Sequence, residues 1–349
     1  MIESHKNHRI RRIGLLSLVA LLLSLVGIGV GALLRERYLT QKVIERYSAD
    51  GQWIDAPSGR LFYKLTQSDA KVAFVLESGL GGITADMKSM AQALDPYGKV
   101  LTYDRSGLGM SQTGLKHPSL EQMARDTRFL MDHVLPNIPV VYIGYSLGAS
   151  YVLNFERQYP GRAAALVILD PAHQGTQPAQ NRFAKLKYFL LESVDIDIGG
   201  QGRQKLKAYL GLLRSEFRSQ WKQGLLQEPE QELMTSAFHE QVTAYELNYQ
   251  FIKFIDPIDC RSPINKTPLM VVSTKVYETD RLRTQDHFDY CERLSQLADH
   301  GMHVHIDAFN HFSFKGSTQM HLFTQPLVEF LLKEQIMPPL QDLQTAMRR

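Results

Sequence analysis

The chain has 349 residues, of which 44% are hydrophobic and 21% charged, with two cysteines and a formal net charge of +3. That length is enough to bury a full core, and it fits one large α/β domain with an insertion as well as two domains. The charge is unevenly spread: residues 1–42 hold seven Lys and Arg against two acids, a net +5 that leaves −2 for the remainder, which excludes an extended basic surface for nucleic acid.

Residues 1–12 carry Lys6, Arg9, Arg11 and Arg12. Ile13 to Leu34 then form about 22 uncharged, mostly apolar positions, which as a helix span about 33 Å, the thickness of a bilayer core. A transmembrane helix over 13–34 is expected, and the preceding cations place the N-terminus in the cytoplasm. Arg35 and Arg37 weaken that asymmetry. The competing reading is a cleaved signal peptide ending near Gly29-Val30-Gly31-Ala32, although the apolar run exceeds the roughly 7 to 15 residues usual there. Either way the remainder of the chain is exported, membrane-tethered on the periplasmic or extracellular side or secreted. Cys260 and Cys291 have no metal-ligand spacing; pairing and two separate thiols both stay open.

Residues 35–51 read as a charged helical linker, followed by a β-hairpin of Gln52–Ala56 and Arg60–Leu65 around the turn Pro57-Ser58-Gly59. Strands are predicted at Val72–Leu76, Val100–Tyr103, Val140–Ile143 and Ala164–Leu169, with helices at Thr84–Leu94, Leu120–Leu135 and Leu147–Tyr159 between or after them. Strands that are apolar throughout, without alternation, are buried on both faces, as in parallel sheets. The rhythm stops after Asp170-Pro171. Residues 173–264 read as an aromatic-rich helical insertion between two core segments, 52–172 and 265–337. In the second segment a strand is predicted at Leu269–Ser273, a helix at Gln285–Ala298, a strand at His303–Ala308 and a helix at Met320–Lys333, before a C-terminal tail, 338–349.

Within this frame, Gly144-Tyr145-Ser146-Leu147-Gly148 joins a strand to a helix. A serine on so sharp a turn needs small neighbours, and the helix start favours developing negative charge. An activated serine needs a base, a group that orients the base, and oxyanion donors. Of the 12 histidines, His311 follows the last strand directly; His173 and His287 are weaker candidates, and His303 and His305 lie within that strand. The loop Glu77-Ser78-Gly79-Leu80-Gly81-Gly82 follows an early strand, so the Leu80 and Leu147 amides are the candidate oxyanion donors. A dinucleotide site there would need the last glycine of Gly-x-Gly-x-x-Gly, and Thr84 occupies that position.

Together with Tyr103-Asp104-Arg105-Ser106-Gly107-Leu108-Gly109-Met110-Ser111, these motifs resemble the α/β-hydrolase superfamily in order and spacing, over residues 52 to 335. The resemblance implies a mostly parallel sheet flanked by helices, a helical cap at 173–264, and a triad in the order nucleophile, acid, histidine. Ser78 stands where many members have histidine, and Ser106 where proline is frequent. Members usually carry the acid after the seventh strand, where Glu278 and Asp280 lie near the expected register; others, of the haloalkane dehalogenase type, carry it at the end of the sixth, where this chain has Asp170. All three stay open. Asp104 and Arg105 read as supports for the loop beneath the site.

The expectation is therefore a membrane-anchored serine hydrolase acting on small-molecule or lipid-like esters through Ser146, His311 and one of those acids, without metal or organic cofactor. Amide, peptide or thioester hydrolysis and acyl transfer use the same groups. A catalytically silent, membrane-tethered binding module is the alternative of another class. Oligomeric state is not legible.

Overall fold

The computed structural model describes residues 2–79, 81–112, 119–171, 262–264, 266–275, 281–316 and 318–338. Nearly all of the expected cap, 173–264, lies outside them, as do Leu80, His173, Cys260, Glu278, Asp280 and nearly all of the C-terminal tail. The chain divides into two compact units, Met1–Tyr47 and Ser48–Arg349.

The first unit is built on helix α1 (Ile2–Ser48), which runs without a break through both the apolar segment and the expected linker. Neither proline nor a glycine pair interrupts it. Among the described residues no helix is long and apolar enough to cross a membrane, so the structure gives no independent support to a span over 13–34.

The second unit contains an eight-stranded sheet in the order β1-β2-β4-β3-β5-β6-β7-β8. The hairpin β1 (Gln52–Ala56) and β2 (Gly59–Leu65) is antiparallel and pairs antiparallel with β4 (Lys99–Tyr103). From there the ladder is parallel through β3 (Ala73–Glu77), β5 (Val140–Tyr145), β6 (Ala165–Leu169), β7 (Leu269–Thr274) and β8 (Gly301–Ile306). Every residue of β3, β5, β6 and β7 is buried, which is why their sequences run apolar without alternation. Helices cover both faces. On one, α3 (Leu120–Val134), α4 (Gly148–Gln158) and α5 (Arg281–Ser295) contribute Leu130, Leu153 and Leu294 to a core with Val75, Leu166 and Val271; on the other, α2 (Lys88–Leu94) and α6 (His321–Lys333) contribute Met90 and Phe323 to a core with Phe74, Ile143 and Met270.

The sheet order places the site. After β3 the chain steps to β4 on one side, then returns to lay β5 on the other, so the carboxyl ends of β3 and β5 flank a topological switch point. Their register sets Glu77 opposite Gly144. The glycine loop and the serine turn therefore leave the sheet side by side.

Three boundaries differ from expectation. The helix expected over Thr84–Leu94 is a 3-10 turn, Thr84–Met87, followed by α2; at its start the Thr84 amide donates to Asp104 Oδ1 (2.7 Å) and the Ile83 amide to Asp86 Oδ2 (3.0 Å). The last strand starts two residues earlier than His303 and stops at Ile306, where the Phe309 amide closes a turn onto the Ile306 carbonyl. Helix α5 begins at Arg281, ahead of Gln285.

Asp126 on α3 holds the hairpin turn, accepting from the Ser58 amide at 2.9 Å. Burial pushes its carboxyl up to about 6, although hydrogen bonds from Ser58 pull the other way. A native value above the ordinary carboxylate range means that the folded state binds more protons between about pH 4 and 6, so this group's contribution to stability falls as pH rises through that window. Asp126→Asn is expected to make the change in melting temperature between pH 4 and pH 6 more positive than in the wild type; an unchanged difference would contradict this assignment.

Candidate active site

Ser146 follows the last residue of β5 and has φ of 56°, a left-handed conformation that a non-glycine residue holds only when its surroundings impose it, at a cost of about 1–3 kcal/mol. Its amide donates to the Leu169 carbonyl at the end of β6 (2.9 Å), and α4 begins two residues later, at Gly148. Space is tight on both sides. A Cβ on Gly144 would meet the Gly148 carbonyl oxygen at 2.6 Å, and one on Gly148 would meet the carbonyl oxygens of Glu77 and Ser78 at 2.5 and 2.8 Å. These two glycines let the turn close and let α4 lie against the backbone of the glycine loop.

The next strand ends in the same unusual way. Asp170 has φ of 44°; its amide donates to the Val272 carbonyl (2.7 Å), and its Oδ1 accepts from the Thr274 amide (3.0 Å). Its side chain is 1% exposed. Asp170 Oδ2 lies 2.5 Å from Nδ1 of His311, and Nε2 of His311 lies 3.1 Å from Ser146 Oγ. With Nδ1–H donating to the carboxylate, Nε2 is left to accept from the serine hydroxyl. Burial by itself raises the Asp170 carboxyl, but hydrogen bonds from His287 and His311 and their charges outweigh it and hold the group well below the usual carboxylate range.

His311 opens a short 3-10 turn, His311–Lys315, whose capping Asn310 accepts the Phe312 amide at 3.0 Å. The Tyr145 hydroxyl donates to the His311 carbonyl (2.8 Å), and the two rings lie 5.0 Å apart. The imidazole is 28% exposed and Ser146 is half-buried, so solvent reaches the pair while the acid is sealed beneath.

A second chain of Ser273, His305 and Asp307 has superficially similar contacts: Ser273 Oγ to His305 Nδ1 at 2.8 Å, and His305 Nε2 to Asp307 at 3.1 Å. Ser273 sits within a regular strand with no exposed surface, and it also contacts His303 Nε2 at 2.8 Å. No substrate carbon reaches such an oxygen. Among the described residues no group of His, Cys, Asp and Glu is arranged to hold a metal ion.

Beneath the glycine loop lies a buried polar cluster. Arg105 Nη1 donates to Glu77 Oε1 (2.7 Å) and to the Ser78 carbonyl (2.8 Å), and Nη2 to the Gly79 carbonyl (2.8 Å). The hydroxyls of Tyr103 and Tyr142 donate to Glu77 Oε2, the latter at 2.6 Å, and Thr127 Oγ1 lies 2.8 Å from the Tyr103 hydroxyl. Burial and the Glu77 charge raise both phenols well above their ordinary range, which keeps them protonated as donors. Asp104 accepts from the Thr84 and Met110 amides instead and ties the two loops together. Neither Asp104 nor Arg105 touches Ser146 among the contacts described; both hold loops. Leu147 caps α4 and is buried, while its proposed companion, Leu80, lies outside the described residues, as do Glu278 and Asp280. Cys291 is buried in the core, and Cys260 is likewise outside them.

Two features were not read from the sequence. Glu77 could have been suspected, being a charge that ends an otherwise apolar strand. His287, a weaker candidate for the base in the sequence, contacts the acid instead: its Nε2 lies 2.9 Å from Asp170 Oδ1.

A family model described as serine aminopeptidase, S33, matches residues 68–275, more than half of the chain. The chain belongs to that family, within the α/β-hydrolase superfamily. No curated protein matches it. Among solved structures it is similar to a thermophilic esterase from Thermogutta terrifontis (17% identity, 81% of this chain and 98% of that one, TM-score 0.52). It is also similar to the enol-lactonase from Burkholderia xenovorans LB400 (18%, 80% and 100%, 0.56) and to an epoxide hydrolase, CorEH (16%, 81% and 98%, 0.57). At such identities the likeness is one of fold.

Removing Arg105 strands the Glu77 carboxylate in a buried site and releases two loop carbonyls, so Arg105→Met is expected to cost about 3–5 kcal/mol in denaturant unfolding. Gly148→Ala is expected to cost about 1–3 kcal/mol by pushing α4 off the glycine loop. Wild-type stability in both variants would contradict these roles.

Proposed function

We propose that this protein is a membrane-anchored serine hydrolase that cleaves carboxylic esters, with lipophilic acyl groups favoured. The observation that carries the reading is the contact chain from Ser146 Oγ to His311 Nε2 and from His311 Nδ1 to Asp170, with the serine strained and accessible at a switch point. Ser146 Oγ attacks the acyl carbon as His311 takes its proton. The Leu80 and Leu147 amides hold the oxyanion, and His311 returns the proton to the departing alcohol. Water, deprotonated by the same imidazole, then releases the acid and restores Ser146. Asp170 keeps Nδ1 protonated and stabilises the imidazolium formed in each half-reaction.

The family description favours a second reading on the same groups, cleavage of an amide at a peptide N-terminus. Thioester hydrolysis and acyl transfer are further variants of the same acyl-enzyme chemistry. Epoxide opening fits less well, because serine attack on an epoxide would leave an alkyl ether with no carbonyl for water to attack. A silent binding module would not need the serine and imidazole in contact.

For the anchor, support comes from the uncharged run 13–34 and from the described side chains within α1, where Ile13, Leu15, Leu16, Leu21 and Leu23 are each more than half exposed. Such a band loses its contact with water if it lies in lipid. The four cations before it support a cytoplasmic N-terminus with the hydrolase on the far side. Alkaline extraction of membranes is expected to leave the full chain in the pellet; release into the supernatant would contradict the anchor.

Against p-nitrophenyl esters of increasing chain length, the wild type is expected to turn over and Ser146→Ala to lose at least about 10³-fold in kcat. Asp170→Asn is expected to lose about 10³- to 10⁴-fold, since an amide both loses the charge and permits the wrong tautomer. Glu278→Gln and Asp280→Asn are expected to retain the rate. Full activity in Ser146→Ala, or a loss confined to an acid other than Asp170, would overturn the assignment.

A further inference from the structure

Asp170 has more to satisfy than an orienting acid requires. One oxygen serves His311; the other accepts two hydrogen bonds, from the Thr274 amide at 3.0 Å and from Nε2–H of His287 at 2.9 Å. His287 lies on α5, is 1% exposed, and contacts Oδ1, the oxygen that His311 does not use. A buried carboxylate so deep is driven toward its neutral form unless donors compensate. A neutral Asp170 with its proton on Oδ2 would donate to His311 Nδ1 rather than accept from it; the imidazole would then carry its proton on Nε2, and Ser146 would lose its acceptor.

We infer that His287 is a positioning residue for the proposed hydrolase: by donating to Asp170 Oδ1 it keeps the carboxylate ionised and leaves Oδ2 for His311, a four-membered Ser–His–Asp–His arrangement. The inference rests on the triad reading above. The groups described around His287 come from its own helix, from β7 and from β8. Cys291 Sγ on its own helix is 3.7 Å from Nε2; from β8, His303 interacts with it, its imidazole pulled down to about 4 by burial and by the charges of His305 and His287. Ser273 lies between His303 and His305, and Asp307 faces His305 on its outer side.

Removal of the His287 donor acts on pH in one direction. The carboxylate becomes easier to protonate, and while ionised it draws a proton more strongly onto His311; both inactivate the base at higher pH than before. The acid limb of kcat/KM therefore moves up. A residue that merely filled space would lower the rate equally at every pH.

The test is the pH profile of kcat/KM for p-nitrophenyl butyrate with the full chain as wild type, Ser146→Ala, His287→Met and His287→Gln. His287→Met, close in volume but without a donor, is expected to move the acid limb up by about 1 pH unit and to lower kcat/KM about tenfold at pH 6. His287→Gln, which keeps an N–H donor near the position of Nε2, is expected to restore the limb and most of the rate. An unmoved limb in the Met variant, or an equal shift in the Gln variant, would overturn the inference while leaving the triad standing. If His287→Met does not fold, His287→Asn replaces it with the same readings, its amide being too short to reach Asp170. No turnover by the wild type, or undiminished turnover by Ser146→Ala, would overturn the triad reading and the inference with it.

Discussion

A carboxylate with about one hundredth of its side chain in contact with solvent is among the most demanding groups a fold can contain, because losing water costs several kcal/mol unless partners replace it. Asp170 is such a group, and the arrangement around the site follows from meeting its needs. The β6–β7 register provides the Thr274 amide, α5 provides His287, and the loop after β8 provides His311. Its left-handed backbone turns the carboxyl out of the strand direction, and Val272 pins the amide behind it. β7, α5 and the loop after β8 each contribute a donor to this one side chain.

The first half of the sheet meets a related demand on the other side of Ser146. A glycine-rich loop is free to turn its amides in many directions, and freedom of that kind is a cost wherever fixed donors are needed. Arg105 removes it by gripping two successive carbonyls, and Glu77, itself held by the Tyr103 and Tyr142 hydroxyls, balances the guanidinium charge within the core. Gly148 lets α4 approach the same backbone closely enough for the serine turn and the loop to be set against each other. Both halves thus spend conformational strain and buried charge on fixing positions rather than on stability.

Much of the architecture can be read from residue order because its causes are local. Unalternating runs such as Ala165–Leu169 announce strands buried on both faces, Pro57-Ser58-Gly59 announces the hairpin, and Gly144 and Gly148 mark the close approach around Ser146. Causes that act across the fold leave no such trace. Asp170, Glu278 and Asp280 are equally acidic in the sequence; what sets Asp170 on His311 is the β6 terminus beside β5, while the other two lie outside the described residues. Likewise, His287 is one helix histidine among 12 until β7 and α5 bring it to the carboxylate. The start of the Thr84–Leu94 segment likewise has a distant partner, since the Thr84 amide donates to Asp104, 20 residues away.

The central claim is that Ser146 is a nucleophile activated by His311. It is tested most directly by treating the full chain with a fluorophosphonate and mapping the adduct by peptide mass spectrometry. The account predicts one adduct per chain, on Ser146, forming at a rate that falls sharply when His311 is replaced by alanine. No adduct, or one on another serine that forms equally fast without His311, would contradict it.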